Sequence, residues 1–133
     1  MRVAVDTHAL LWFLRSSPLL TEDARVALRD AQESDGIIAS TALLVDLWYV
    51  TQTTAAFSVE DLDAVRDVVT DESTAIDLVP IDLEVFDQWR RLERRVLSDP
   101  WDRFIVATAI VEGVPLVTRD EAISGSGYLQ TVW

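Results

Sequence analysis

The stretch Leu97 to Asp120, LSDPWDRFIVATAIVEGVPLVTRD, restricts the possible folds more than any other part of the chain. Asp99 is an N-cap acid, and Pro100 suits a first helical position because its missing N–H has no partner there to lose. Asp102 lies within the same turn. From Arg103 to Val111 the side chains are mostly apolar, so this helix is buried on most of its faces. Gly113 ends it. Val114 to Thr118 is then a short β-branched run bounded by charge, the pattern of a strand covered on both faces in a parallel sheet. Asp120 falls just past the carboxyl end of that strand, the edge of an open α/β sheet where ligands bind.

The remaining chain continues the alternation. Arg2 to Val5 is a first strand ending in Asp6, followed by a short apolar helix, Ala9 to Leu14. Pro18 breaks the chain, and Thr21 caps a helix to about Gln32 with Ala24, Ala27, Leu28 and Ala31 inward. Ile37 to Ala39 is a second strand. Ser40 or Thr41 caps a helix through about Val50, and Ser58 with Asp61 opens another by a capping box. Ile76 to Pro80 is a third strand. Asp82 begins a helix placing Val85, Phe86, Trp89, Leu92 and Val96 on one face, flanked by the basic pairs Arg90/Arg94 and Arg91/Arg95. A last strand lies near Tyr128 to Val132. With no repeat or linker, residues 1–133 read as one α/β domain: three layers, α/β/α, around a central parallel sheet of four to five strands.

Charge limits what such a domain does. Twenty-three acids against eleven bases give a formal net charge of −12, and every base is arginine. That argues against broad nonspecific binding to a phosphate backbone and suits a protein that gathers cations or travels with a basic partner. The absence of cysteine excludes disulfides and thiolate metal sites. No stretch approaches the roughly 20 apolar residues of a membrane span, and the amino terminus has no signal-peptide pattern. A cytoplasmic protein without membrane association is expected.

Acids set among apolar residues are the candidates for chemistry. Asp6 ends a strand, Asp120 follows one, and Asp102 opens a helix that precedes one. Asp46 sits in ALLVDLWYV, where its neighbours one helical turn away are Ala42, Leu43, Tyr49 and Val50 and no arginine lies within reach. Each has an ordinary structural use: Asp6 in an Asx-turn, Asp99 as a cap, Asp102 against a helix dipole, Asp120 capping a turn. Jointly, Asp6, Asp46, Asp102 and Asp120 can all converge on one sheet edge. Converging carboxylates repel unless a divalent cation sits among them, and oxygen-only ligation suits Mg²⁺ or Mn²⁺.

The ordered motifs Val-Asp6-Thr7-His8-Ala-Leu-Leu-Trp12, Ser40 with an acid six residues on, Asp99-Pro-Trp-Asp102-Arg103 and Leu-Val-Thr118-Arg-Asp120 resemble a PIN domain. They resemble most nearly the VapC ribonuclease toxins of prokaryotic type II toxin–antitoxin systems, and the likeness runs to Thr131-Val132-Trp133. The resemblance implies a metal-dependent endoribonuclease, an RNA substrate, a cognate antitoxin that blocks the site, and products bearing a 5′-phosphate and a 3′-hydroxyl. Carried over by position, it implies that Asp6, Asp46, Asp102 and Asp120 hold the metal, with Asp99 joining through water and Thr118 or Ser40 orienting the acids. One departure is Asp46, where the family usually has glutamate.

Arg103 and Arg119, next to metal ligands in sequence, are the candidates for contact with RNA phosphates. His8, the single histidine, is expected to pack or hydrogen-bond rather than catalyse. Trp12, Trp48, Tyr49, Phe57 and Trp101 could stack on bases, but most of them are expected in core or interface packing. An antitoxin segment or a second copy of the chain would cover Trp48, Tyr49 and Phe57, and a homodimer is the expected assembly. Receiver domains and aspartyl phosphatases also gather acids at strand ends, but both rely on a lysine and this chain has none. The non-enzyme alternative is a catalytically weak module that binds RNA or antitoxin; whether Asp46 reaches a metal discriminates the two.

Overall fold

A computed structural model describes residues 1–133. Five short strands, β1 (Val3–Val5), β2 (Ile37–Ser40), β3 (Ile76–Val79), β4 (Leu116–Val117) and β5 (Thr131–Val132), pair in the order β3-β2-β1-β4-β5. Every pairing is parallel, with Val3 opposite Ile37 and Ala4 opposite Leu116. Seven helices cover the sheet: α1 (Thr7–Leu14), α2 (Glu22–Glu33), α3 (Ala42–Thr53), α4 (Val59–Thr70), α5 (Leu83–Trp89), α6 (Pro100–Glu112) and α7 (Glu121–Ser124). None is long and apolar enough to cross a membrane.

Period-two alternation of side chains divides the interior into two cores. Val3, Val5, Ile37, Ala39 and Val117 face α1, α2 and α4, packing on Leu10, Leu28, Val65 and Val69. Ala4, Ile38 and Leu116 point the other way, onto Val85, Ile105, Val106 and Ile123 of α5, α6 and α7. The result is the expected α/β/α sandwich, with five strands. From β1 the chain first builds outward through β2 to β3 and then crosses back to add β4 and β5 on the opposite side. The direction of winding therefore reverses between β1 and β4, and a crevice opens at their carboxyl ends.

Local chemistry places most element ends. Thr21 accepts the Ala24 N–H, and Ser58 and Asp61 form a reciprocal capping box. Gly113 closes α6 at φ 68°. At the start of α3, Ser40 is the capping group, its hydroxyl accepting the Ala42 N–H at 3.1 Å, whereas Thr41 makes no side-chain cap bond.

The helix after Asp82 is shorter than its apolar spacing suggests. It stops at Trp89, so Leu92 and Val96 lie in turns and the Arg90/Arg94 and Arg91/Arg95 pairs do not share a helix face. Long-range partners take the backbone groups that the next turn would need. Tyr128 Oη accepts the Glu93 N–H at 2.9 Å, and Arg103 donates to the Leu92 carbonyl at 3.2 Å.

Gly36 joins α2 to β2 at φ 98°, and a Cβ there would stand 3.2 Å from the Ala75 carbonyl oxygen. Gly36→Ala is therefore expected to cost about 1–3 kcal/mol, through positive φ and crowding together. Urea denaturation checks this; an unchanged midpoint would contradict it.

Candidate active site

Five aspartates line an open pocket of about 520 Å³ at the β1–β4 crevice: Asp6, Asp46, Asp99, Asp102 and Asp120, together with Thr7, His8, Trp12 and Arg119. Each arrives from a different local device. Asp6 follows β1 and N-caps α1, its Oδ1 accepting the Ala9 N–H at 2.9 Å. Its Oδ2 accepts from the Thr118 hydroxyl, which itself accepts the Asp120 N–H at 3.0 Å. Asp120 N-caps α7 through the Ile123 N–H. Asp99 caps α6, taking the N–H groups of Trp101 and Asp102 at 2.8 and 3.1 Å. The carboxylate of Asp102, the third residue of α6, accepts no hydrogen bond from the protein, and Asp46 accepts from Thr7 Oγ1 at 2.7 Å. The capping uses expected of Asp6, Asp99 and Asp120 are all present. They coexist with convergence because a capping carboxylate needs only one oxygen for its helix.

No salt bridge ties any of these acids to a base. Asp102 is pushed up to about 7 by burial and then by the charges of Asp99, Asp120, Asp46 and Asp6. Asp6 is also raised; burial outweighs the bonds from Thr118 and Ala9 and the proximity of His8, and Asp120 adds to the rise. As the side chains stand, no three His, Cys, Asp or Glu residues form a ready metal cage. Asp6 and Asp46 each spend an oxygen on a threonine, and like charges keep apart. The donor chemistry nonetheless fits a hard divalent cation: every acidic donor is oxygen, none is ion-paired to a base, and the crowded charge strains Asp102 toward protonation.

A consequence for pH follows. Between about pH 4 and pH 7 folded Asp102 keeps a proton that the unfolded chain, near 3.8, has released, so metal-free stability falls as pH rises through that window. In chelator the melting temperature is expected to be lower at about pH 8 than at about pH 5. Asp102→Asn should remove much of that difference, and an unaltered pH profile in the variant would contradict it.

Two expected site residues are placed elsewhere. Arg103 is buried and points away from the pocket, its guanidinium 3.9 Å above the Trp89 ring and donating to the Leu92 carbonyl. It is a packing cation between α5 and α6, not a phosphate contact, because its place on α6 turns it toward α5. Ser40 is buried as the cap of α3 and does not line the pocket. Arg119 does line it, exposed, with its guanidinium 5.7 Å from the Trp12 ring centre.

Thr7 is a pocket residue to which no role was assigned from the sequence, and Trp12, weighed there for base stacking or packing, stands on the pocket wall. The signal for Thr7 was a hydroxyl next to Asp6, and for Trp12 its place one helical turn after His8. His8 is exposed on the pocket wall, its ring 5.7 Å from that of Trp12. Trp101 packs on Phe104, as expected of a packing aromatic, whereas Phe57 is buried in the chain's own core and so is not part of the surface a partner would cover. Trp48 and Tyr49 are half exposed beside Leu44 and Leu62 in a groove between α3 and α4.

Fold and site together define a class: a parallel α/β domain that presents clustered carboxylates at a switch point of its sheet. The PIN domain family model matches residues 3–125, and the chain belongs to that family. Its fold is shared by solved structures that include a toxin–antitoxin complex from Klebsiella pneumoniae, with TM-score 0.65 at 17% identity over 98% of this chain and 96% of that one. VapBC2 from Rickettsia felis, bound to a DNA fragment from its promoter, matches with TM-score 0.70 at 13% identity, over 98% of this chain and 97% of that one. DNA-bound VapBC from Salmonella typhimurium gives 0.69 at 14%, covering 98% and 96%, and FitAcB from Neisseria gonorrhoeae 0.66 at 16%, covering 98% and 96%. At these identities the likeness is one of fold. No curated protein matches the sequence.

Proposed function

We propose that residues 1–133 are a single PIN domain acting as the toxin of a toxin–antitoxin module: an Mg²⁺- or Mn²⁺-dependent endoribonuclease of the cytoplasm, held inactive by a cognate antitoxin. The observation that carries the reading is the gathering of Asp6, Asp46, Asp99, Asp102 and Asp120 on one pocket with none of them salt-bridged to a base. Asp6, Asp46, Asp102 and Asp120 would hold the ion, and Asp99 would add charge from the mouth of α6. When bound, a divalent ion lowers the pKa of a coordinated water and offsets charge on a phosphodiester.

The chain's own groups supply the rest. Thr118 holds Asp6 and the Asp120 backbone in one arrangement, so two acids from separate segments keep a constant spacing. A carboxylate left unprotonated accepts the proton of the attacking water. Arg119, on the pocket wall and free of any acid, contacts a phosphate of the substrate. The likeness to VapC toxins favours RNA as that substrate. The half-exposed Trp48 and Tyr49 support an antitoxin or a second copy of the chain as the protein partner.

Incubation of the purified protein with total RNA and Mn²⁺, followed by sequencing of RNA ends, tests this. Cleavage leaving 5′-phosphate and 3′-hydroxyl ends, abolished by chelator, is expected. Intact RNA under these conditions would rule out the nuclease. A second reading, a catalytically weak RNA- or antitoxin-binding module, is favoured by one feature, the short Asp46 with an oxygen engaged by Thr7. Mn²⁺ is also expected to raise the melting temperature, since an ion bound only by the folded chain at a hundred times its Kd adds about 2.7 kcal/mol. Thermal denaturation with and without Mn²⁺ checks it, and an unmoved transition would deny the ion a site.

A further inference from the structure

We infer that Thr7 is the positioning residue of Asp46, setting that carboxylate so that a single oxygen is offered to a divalent ion; this rests on the reading of the pocket as an ion site. Thr7 is the first residue of α1 and is 2% exposed, and its hydroxyl donates to Asp46 Oδ2 at 2.7 Å across 39 residues of chain. Asp46 lies in the middle of α3, and its Oδ1 takes no hydrogen bond from the protein. Both residues line the pocket. One oxygen is thus committed to the hydroxyl and the other is left to the cavity that Asp6, Asp102 and Asp120 share.

An aspartate has a short reach and few torsions. A hydroxyl fixed at the start of α1 removes most of the remaining freedom before any ion arrives, so less order has to be created on binding. Because Thr7 follows Asp6 directly, the bond also ties the α3 acid to the β1 acid, two donors that come from different segments of the chain. A hydroxyl that merely satisfied itself inside the protein would affect stability and nothing else. A positioning hydroxyl changes ion affinity, and does so only while Asp46 is present.

Calorimetric titration of Mn²⁺ into the metal-free protein separates these cases. Thr7→Val, which keeps the shape and removes the donor, is expected to bind Mn²⁺ about tenfold more weakly than wild type. Thr7→Ser, which keeps the hydroxyl, should bind close to wild type. In an Asp46→Asn background, Thr7→Val should cause no further loss. Equal affinity in Thr7→Val and wild type would overturn the inference, as would an equal loss with and without Asp46. Thr7→Ala carries the same comparison should the valine variant fail to fold. A wild type that takes up no Mn²⁺ would overturn the ion site itself and the inference with it, whereas Mn²⁺ uptake insensitive to Thr7 would overturn the inference alone.

Discussion

Asp102→Asn is expected to lower RNA cleavage by more than about a hundredfold while leaving the fold intact. Four other carboxylates surround Asp102, and it alone among the five accepts no hydrogen bond from the protein. Its charge is therefore unspent on structure and available to an ion. The substitution removes that charge at almost constant volume, so neither a cavity nor a lost cap accompanies it. Because burial and like charges hold the Asp102 carboxyl near 7, the neutral amide also relieves repulsion in the metal-free protein. Its melting temperature in chelator should rise while cleavage disappears. Manganese-dependent cleavage retained by the variant would remove Asp102 from the site. A clear fall in metal-free stability would mean that the acids are structural.

Arg103→Ala is expected to destabilise the fold by about 3 kcal/mol, combining a lost charged hydrogen bond, a desolvated cation–π contact and the packing of the side-chain stem. Arg119→Ala is expected to change stability by less than about 0.5 kcal/mol, as an exposed substitution does, and to weaken RNA binding instead. The two arginines are alike in sequence, each adjacent to a proposed ligand. Arg103 lies at a buried position of α6 over Trp89, where the Leu92 carbonyl would be left without a partner on truncation. Arg119 is exposed after β4, against the face of Trp12. Denaturant titration and RNA-binding measurements on both variants check the contrast, and a stable Arg103→Ala protein with impaired RNA binding would reverse it.

Much of the architecture was legible before any coordinates. The β-branched runs at Val3, Ile37, Ile76 and Leu116 are strands, and the capping signals at Thr21, Ser58, Asp82 and Asp99 open helices. These are local rules acting over three or four residues, so a linear reading carries them. The helix after Asp82 shows where such rules stop. Its apolar spacing runs past Trp89, but the hydroxyl of Tyr128 and the guanidinium of Arg103 take the groups that would continue it.

The candidate site divides in the same way. Asp6, Asp46, Asp102 and Asp120 were recognisable because acids among apolar residues at strand and helix ends need an explanation, and all four line one pocket. The neighbours that serve them were recognisable only in part: Thr118 does hold Asp6, but Thr7 rather than Ser40 meets Asp46, and of the two arginines only Arg119 faces the cavity. Residue order and polarity alone thus determined the parallel α/β layers and the identity of the acids, since both follow from periodicity and the cost of burying charge. Partner choice was decided only by the tertiary structure, because a side chain's direction depends on which distant segment the packed helices bring against it.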